Sequence, residues 1–219
     1  MGCLADYFPI WNKLSESERE TLEAASEKQY VPGGKIIANG HEDCIGLIVV
    51  CSGQLRAYIL SDQGKEISIY RLFERDICLL SASCMMASLR FDVTIEAEKD
   101  SEIYLIPART YKGLMEKSAV IANYTNELMA NRLSDVMWLI EQIMWKSFDK
   151  RLAVFLLEES TIEQSSELKI THERIAKHLG TAREVVTRML QYFQSEDMVL
   201  LSRGMIKIED HKKLESMAR

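Results

Sequence analysis

Apolar residues along this chain follow two periods, and the changes of period divide it into a short helical lead, a long β-rich stretch and a helical remainder. Ser15-Glu-Ser-Glu18 has the spacing of a capping box, in which a hydroxyl and a carboxylate three residues apart satisfy each other's free backbone N–H groups. It predicts a helix through about Ser26, with Leu14, Leu22 and Ala25 turned inward. From Tyr30 to Pro107 the apolar residues come instead in short runs, broken at Pro32-Gly33-Gly34, Ser52-Gly53, Asp62-Gln-Gly64 and Lys99-Asp100. Runs bounded by such turn residues read as strands. Ile45 to Val50, Leu55 to Leu60, Ile67 to Leu72, Val93 to Ala97 and Ile103 to Ile106 are the expected ones, numerous and short as in a jelly roll.

From about Tyr111 the helical period returns and runs to Lys146, a helix of roughly 50 Å at ~1.5 Å per residue. Met129, Leu133, Val136, Ile140 and Ile143 alternate at spacings of four and three, the seam of a two-stranded coiled coil. Such a seam pairs with a second copy or packs on the chain's own β-domain. Ser147 to Asp149 then reads as a hinge, Lys150 to Glu159 as a helix, and the polar Ser160 to Glu167 as a loop.

The stretch Ile175 to Leu190 reads as two short helices joined at Gly180, a helix-turn-helix. Ile175, Ala176 and Leu179 face Val185, Val186, Met189 and Leu190 at helical spacing. Arg183, Glu184, Thr187 and Arg188 are left pointing outward. Arginine pairs bidentately with guanine and glutamate accepts from cytosine, so this face suits a major groove; a solvated helix face is the alternative. Thr181-Ala-Arg-Glu184 also has capping-box spacing, which would engage the Glu184 carboxylate at the backbone. Met198 to Ile208 alternates about Ser202-Arg203-Gly204, a hairpin whose tip places Arg203 to meet a phosphate.

The chain has 219 residues, enough for two modest domains, and a net charge of -6. Lys169 to Arg219 holds ten Lys/Arg against seven Asp/Glu, a net of +3, which leaves -9 for the remainder. The basic charge thus sits with the helix-turn-helix, where phosphate contacts need it. No apolar run reaches the ~20 residues that cross a bilayer and no secretion signal is present, so a cytoplasmic protein without membrane partners is expected. Met1-Gly2-Cys3 is not an acylation start, because position six is Asp6. Cys3, Cys44, Cys51, Cys78 and Cys84 form no Cys-x-x-Cys pair, and His41, His172, His178 and His211 are scattered, so no metal is assigned. Neither a nucleophile with its base nor a phosphate loop marks an enzyme.

These pieces resemble the Crp/Fnr-type bacterial transcription regulators over nearly the whole chain. The likeness rests on Pro32-Gly33-Gly34-Lys35-Ile36-Ile37, Gly53 and Asp62-Gln-Gly-Lys-Glu66 in the β-rich part. In the C-terminal part it rests on Ile170-Thr171, on Ile175-Ala-x-x-Leu-Gly180, and on Arg183-Glu184 followed by Arg188. The resemblance implies an α+β fold: an N-terminal jelly-roll-like, cyclic-nucleotide-binding-like β-roll, a long dimerisation helix at about 111–146, and a C-terminal winged helix-turn-helix. The sensory domain, helix included, would span 1–146 and the DNA-binding domain 147–219. It further implies a homodimer on palindromic double-stranded DNA, base reading by Arg183, Glu184 and Arg188, phosphate contacts by Thr171 and Arg203, and RNA polymerase contact near Ser160 to Glu167. The competing function is a sensory module whose winged helix binds protein instead of DNA.

The resemblance breaks in the roll. Nucleotide-binding members carry Gly-Glu, Arg-Ser and helix hydroxyls where this chain has Leu79-Leu80, Phe91-Asp92 and Val136-Met137. A cyclic phosphate in a half-buried pocket needs a fixed cation, so cAMP is not expected. Among them Leu80, Phe91, Val136 and Met137 suggest an apolar pocket for an unknown small-molecule effector or a collapsed core, and the cofactor stays unassigned. Arg75 stands where a turn glycine is expected before Asp76, which predicts an altered backbone there. Oxygen-sensing members use an N-terminal cysteine cluster, and only Cys3 lies near this start, so their iron-sulfur centre is not expected.

Overall fold

The computed structural model describes residues 2–39, 45–85 and 92–219, those at 83–85 by backbone alone. The chain divides into two compact units, Met1–Leu60 with Ile69–Val136, and Ser61–Ser68 with Met137–Arg219.

In the first unit α1 (Leu4–Tyr7) and α2 (Glu16–Ala25) lead into the strands β1 (Glu27–Val31), β2 (Ile36–Asn39), β3 (Leu47–Ser52), β4 (Leu55–Leu60), β5 (Glu66–Leu72), β6 (Ile77–Cys78), β7 (Thr94–Ala97) and β8 (Ser101–Ile106). They form two four-stranded sheets, ordered β1-β8-β3-β6 and β2-β7-β4-β5. Ser15 caps α2 through the expected reciprocal box. Alternation decides where the core sits. In β3, Ile48 and Val50 face the interior between the sheets, with Leu55, Ala57, Leu72, Ile95 and Ile103. Leu47 and Val49 point the other way, into a second core with Leu4, Phe8, Leu22, Tyr111 and Ile121. A strand buried on both faces has no polar alternation, which is why Leu47-Ile-Val-Val50 is continuously apolar.

The five expected strands are present, and β1, β2 and β6 are additional. A ladder of charged side chains crosses β4 and β7. Arg56 lies 2.9 Å from Glu96 and 4.1 Å above the Tyr58 ring, with its own side chain 0% exposed. Arg71 pairs with Glu98 at 3.1 Å, and Gln54 Nε2 donates to the same carboxylate at 2.6 Å.

Several expectations need correcting. The helical stretch after the strands is two helices, α3 (Ala108–Met115) and α4 (Ala119–Trp145), because the chain turns at Ser118, whose hydroxyl accepts from the Ile121 N–H. Its 27 residues make α4 roughly 40 Å long, not 50. At the turn before Asp76, Arg75 itself takes the left-handed conformation, φ +71°. The Phe73 N–H donates to Asp76 Oδ2 at 2.8 Å, and the Arg75 guanidinium donates twice to the Asp6 carbonyl, at 3.0 and 2.8 Å. Those bonds offset the strain that a glycine would avoid.

In the second unit α5 (Phe148–Glu163) runs four residues past its expected end. The first half of the polar stretch from Ser160 is therefore helix, closed by Gln164 in the left-handed region. Ser147 is its N-cap, so no separate hinge segment of three residues exists. There follow β9 (Glu167–Leu168), α6 (His172–Leu179), α7 (Arg183–Ser195), β10 (Val199–Ser202), β11 (Met205–Ile208) and α8 (His211–Ala218). The strands form a sheet ordered β10-β11-β9. Leu152, Leu156, Ile175, Val186, Leu190, Phe193, Ile206 and Leu214 make its core, each such side chain contributing about 1.5–3 kcal/mol by leaving water. The segment Ser61–Ser68 packs on α6 in this unit: Glu66 pairs with Lys177 at 2.9 Å, Ile67 bridges Leu179, and Ser68 Oγ lies 2.8 Å from His178 Nδ1.

Candidate nucleic-acid interface

Thr171 opens α6 as its N-cap, its hydroxyl oxygen accepting from the Arg174 N–H at 3.1 Å. The hydroxyl hydrogen stays available to an outside acceptor. Gly180 ends the helix at φ +66°, where an added Cβ would lie 3.0 Å from Ile67 Cδ1. The Thr181 N–H returns to the Ala176 carbonyl, turning the chain into α7. The second capping box does not form. Ala182, not Thr181, is the N-cap of α7, and it has no side chain that could accept. Glu184 is therefore released from the backbone role that its spacing suggested.

Helical spacing then sorts α7. Val186, Leu190 and Phe193 are buried, while Arg183, Glu184 and Arg188 are exposed. None of the three side chains has a hydrogen-bond or ion-pair partner among the described residues. Thr187 is a correction to the outward set. It is only half-exposed, and its hydroxyl is bonded to the Arg183 carbonyl at 3.0 Å and to His172 Nδ1 at 2.9 Å. His172, unremarked among scattered histidines, is thus part of this face. Burial first, and the Arg183 cation second, hold its pKa below the usual 6.5. Arg203 is exposed at the β10–β11 turn, where Gly204 supplies φ +72°. Thr171, Arg183, Glu184, Arg188 and Arg203 all belong to the one winged unit.

Along α4 the expected seam is only partly open. Met129 packs against the second core of the β-rich unit, and Val136 is half-buried. Leu133, Met137, Ile140 and Met144 are exposed, at 64%, 56%, 42% and 66%, in steps of four, three and four. Ile143, Trp138 and Trp145 widen this apolar face. Met137, placed with the pocket residues by the resemblance, therefore lies on it.

The other pocket candidates do not converge among the described residues. Leu79 belongs to the second core and Leu80, the first residue of a 3-10 turn at Leu80–Met85, to the interior between the sheets. Asp92 is exposed, and Phe91 lies outside the described residues, as do Cys44 and His41. Arg132 of α4 stands 4.2 Å above the Tyr70 ring and is paired with Asp135 at 2.8 Å. Cys3 is exposed, and Cys51 and Cys78 are buried. Burial pushes the Cys51 thiol up to about 11, which makes it a poor nucleophile. No helix among the described residues is long and apolar enough to cross a membrane.

Comparison with known families matches residues 150–217 to the Crp-like helix-turn-helix domain and residues 27–118 to the cyclic nucleotide-binding domain. The chain is similar, at 62% identity and TM-score 0.95, to a crystal structure from Eubacterium rectale assigned to the Crp/Fnr family of transcriptional regulators. The likeness covers 97% of this chain and 99% of that one. It is 22% identical to the cyclic AMP receptor protein of Thermus thermophilus, over 96% of each chain. It is 25% identical to the fumarate and nitrate reduction regulatory protein of Vibrio cholerae, over 94% of this chain and 84% of that one.

Proposed function

Because the chain belongs to the Crp/Fnr family of transcription regulators, we propose that it binds palindromic DNA in a sequence-specific manner as a homodimer and that its β-roll does not take cAMP. The observation that carries this reading is the unpaired trio Arg183, Glu184 and Arg188 on the outer face of α7. Arginine and glutamate on a folded surface ordinarily find each other; here they are held on one rigid helix with no partner. In a major groove the guanidinium groups meet guanine O6 and N7, and the carboxylate accepts from cytosine N4. Thr171 and Arg203, on either side, take phosphates and fix register.

The apolar face of α4 supplies the second copy. Two-fold pairing along Leu133, Met137, Ile140 and Met144 would set two α7 helices one turn of DNA apart, ~34 Å. Met137→Lys is expected to leave a monomer in sedimentation velocity.

In the roll, no carboxylate or free cation stands at Leu79 and Leu80, and Arg132 is already paired with Asp135. Leu79 and Leu80 offer a nucleotide phosphate nothing to replace its hydration. The effector is instead a different small molecule, and contact with RNA polymerase falls to the C-terminal end of α5 and its cap. The protein acts by binding, without an enzymatic step.

Selection of sites from random duplex DNA by the ligand-free protein tests the reading. A palindromic consensus is expected. Arg188→Ala should blur one symmetric position and lose about 1–3 kcal/mol per site. No enrichment from wild type would overturn sequence-specific binding by the ligand-free form.

A further inference from the structure

Thr187 has one hydroxyl hydrogen, and its Oγ1 lies 3.0 Å from the Arg183 carbonyl, which can only accept. The same oxygen lies 2.9 Å from His172 Nδ1. With the hydroxyl hydrogen spent on the carbonyl, the second bond requires a hydrogen on Nδ1, so His172 donates and Thr187 accepts. The neutral ring therefore carries its proton on Nδ1. Nε2 is left with a lone pair that no described hydrogen bond engages. The ring follows Thr171 on α6 and touches α7 beside Arg183, between residues read above as phosphate and base contacts.

A lone pair turned to a phosphate oxygen sets acceptor against acceptor. A protonated Nε2 instead offers a charged donor, the stronger kind of hydrogen bond to phosphate. We propose that His172 is a proton-linked phosphate-binding residue: its Nδ1–H holds Thr187 in place, and its Nε2 takes one proton from solvent as DNA docks. This rests on the DNA-binding reading. In the free protein Arg183 on α7 opposes that proton, as does burial. Arg174 and the exposed Glu173 on α6, with Glu184 and Arg188 on α7, are the other charged neighbours in sequence. A phosphate anion reverses the balance, so the ring's pKa is higher in the complex than in the free protein. Binding is then tightest below the free-protein pKa, and the gain is lost as pH rises through the pKa of the complex. One proton limits the change to about 10-fold in association constant per pH unit.

The test is fluorescence anisotropy of the full-length protein on a random-sequence duplex pool, at several salt concentrations, between about pH 5.5 and about pH 8. Wild type is expected to bind about 10-fold tighter at the lower pH, with a salt slope steeper by about 0.9. His172→Asn keeps an N–H for Thr187 but has no Nε2. It should show the weak, high-pH affinity throughout and, at the high-pH end of the range, an unchanged melting temperature. His172→Arg, with its fixed charge, should bind tightly at both pH values, and it carries the test if the Asn variant does not fold. A wild-type protein that binds DNA without pH dependence, or an Asn variant with the full pH response, would overturn the assignment to His172 alone. Absence of binding to any duplex at any pH would overturn the DNA-binding reading, and the proposal with it.

Discussion

Two sets of arginine and glutamate side chains in this molecule have the same chemistry and opposite situations. On β4 and β7, Arg56 and Glu96 meet at 2.9 Å, out of water, with Arg71, Glu98 and Gln54 completing the ladder. On α7, Arg183, Glu184 and Arg188 are exposed, and their side chains have no hydrogen-bond or ion-pair partner among the described residues. Cross-strand neighbours are held face to face by the sheet, so opposite charges there satisfy each other. On α7 helical spacing instead turns the three side chains away from the core of the winged unit, with no strand opposite to hold a partner charge. A charge with a fixed partner serves the fold; a charge held rigidly without one is available to a ligand.

The comparison is tested hardest at Glu96. Glu96→Ala removes the carboxylate 2.9 Å from the buried Arg56 guanidinium and is expected to cost about 3–5 kcal/mol in urea unfolding. Arg183→Ala, by contrast, should stay within about 0.5 kcal/mol of wild type while weakening DNA binding. If both substitutions cost the same stability, the division between fold charges and ligand charges fails. Next comes the turn that aims α7. Gly180→Ala forces a side chain into φ +66° and against Ile67, with an expected loss of about 1–3 kcal/mol. A neutral substitution there would show that Ile67 and the turn can shift together.

Smallest is the pH response of the free protein. His172 titrates below its ordinary 6.5 in the folded chain, so between its folded pKa and that value the unfolded chain binds more protons. Stability contributed there is present in full above the unfolded value and is lost as pH falls through the folded pKa. That sign is opposite to the one proposed for DNA binding. Paired melts of wild type and His172→Asn should differ only on the acid side.

How much of this was legible depended on whether local pattern and tertiary demand agreed. The strand Leu55–Leu60 was readable because Leu55 and Ala57, which enter the interior between the sheets, alternate with the polar Arg56 and Tyr58 between clear turn signals. β1, Glu27–Val31, was not: it lies at a sheet edge, buries only Val31 among its five residues, and owes its extension to pairing with β8. The break at Ser118 was invisible because a serine amid helix-forming residues reads as one polar position on a face. The Thr181 box was legible and misleading, since the return of the Thr181 N–H to Ala176 uses that residue to close the turn. Nor could local pattern show that the Arg75 turn is held by Asp76 and the Asp6 carbonyl, since Asp6 lies 69 residues away in the chain.

By itself the sequence determined the periods, and with them the order of helix, β-roll, long helix and winged helix-turn-helix. It also determined which residues of α7 lie on opposite faces, because helical spacing is a local property of the chain. Only the tertiary structure decided which charges are paired, that Leu79 and Leu80 serve different cores, and that His172 reaches Thr187 across two helices. Those outcomes depend on contacts between segments distant in sequence, whose geometry no local pattern encodes.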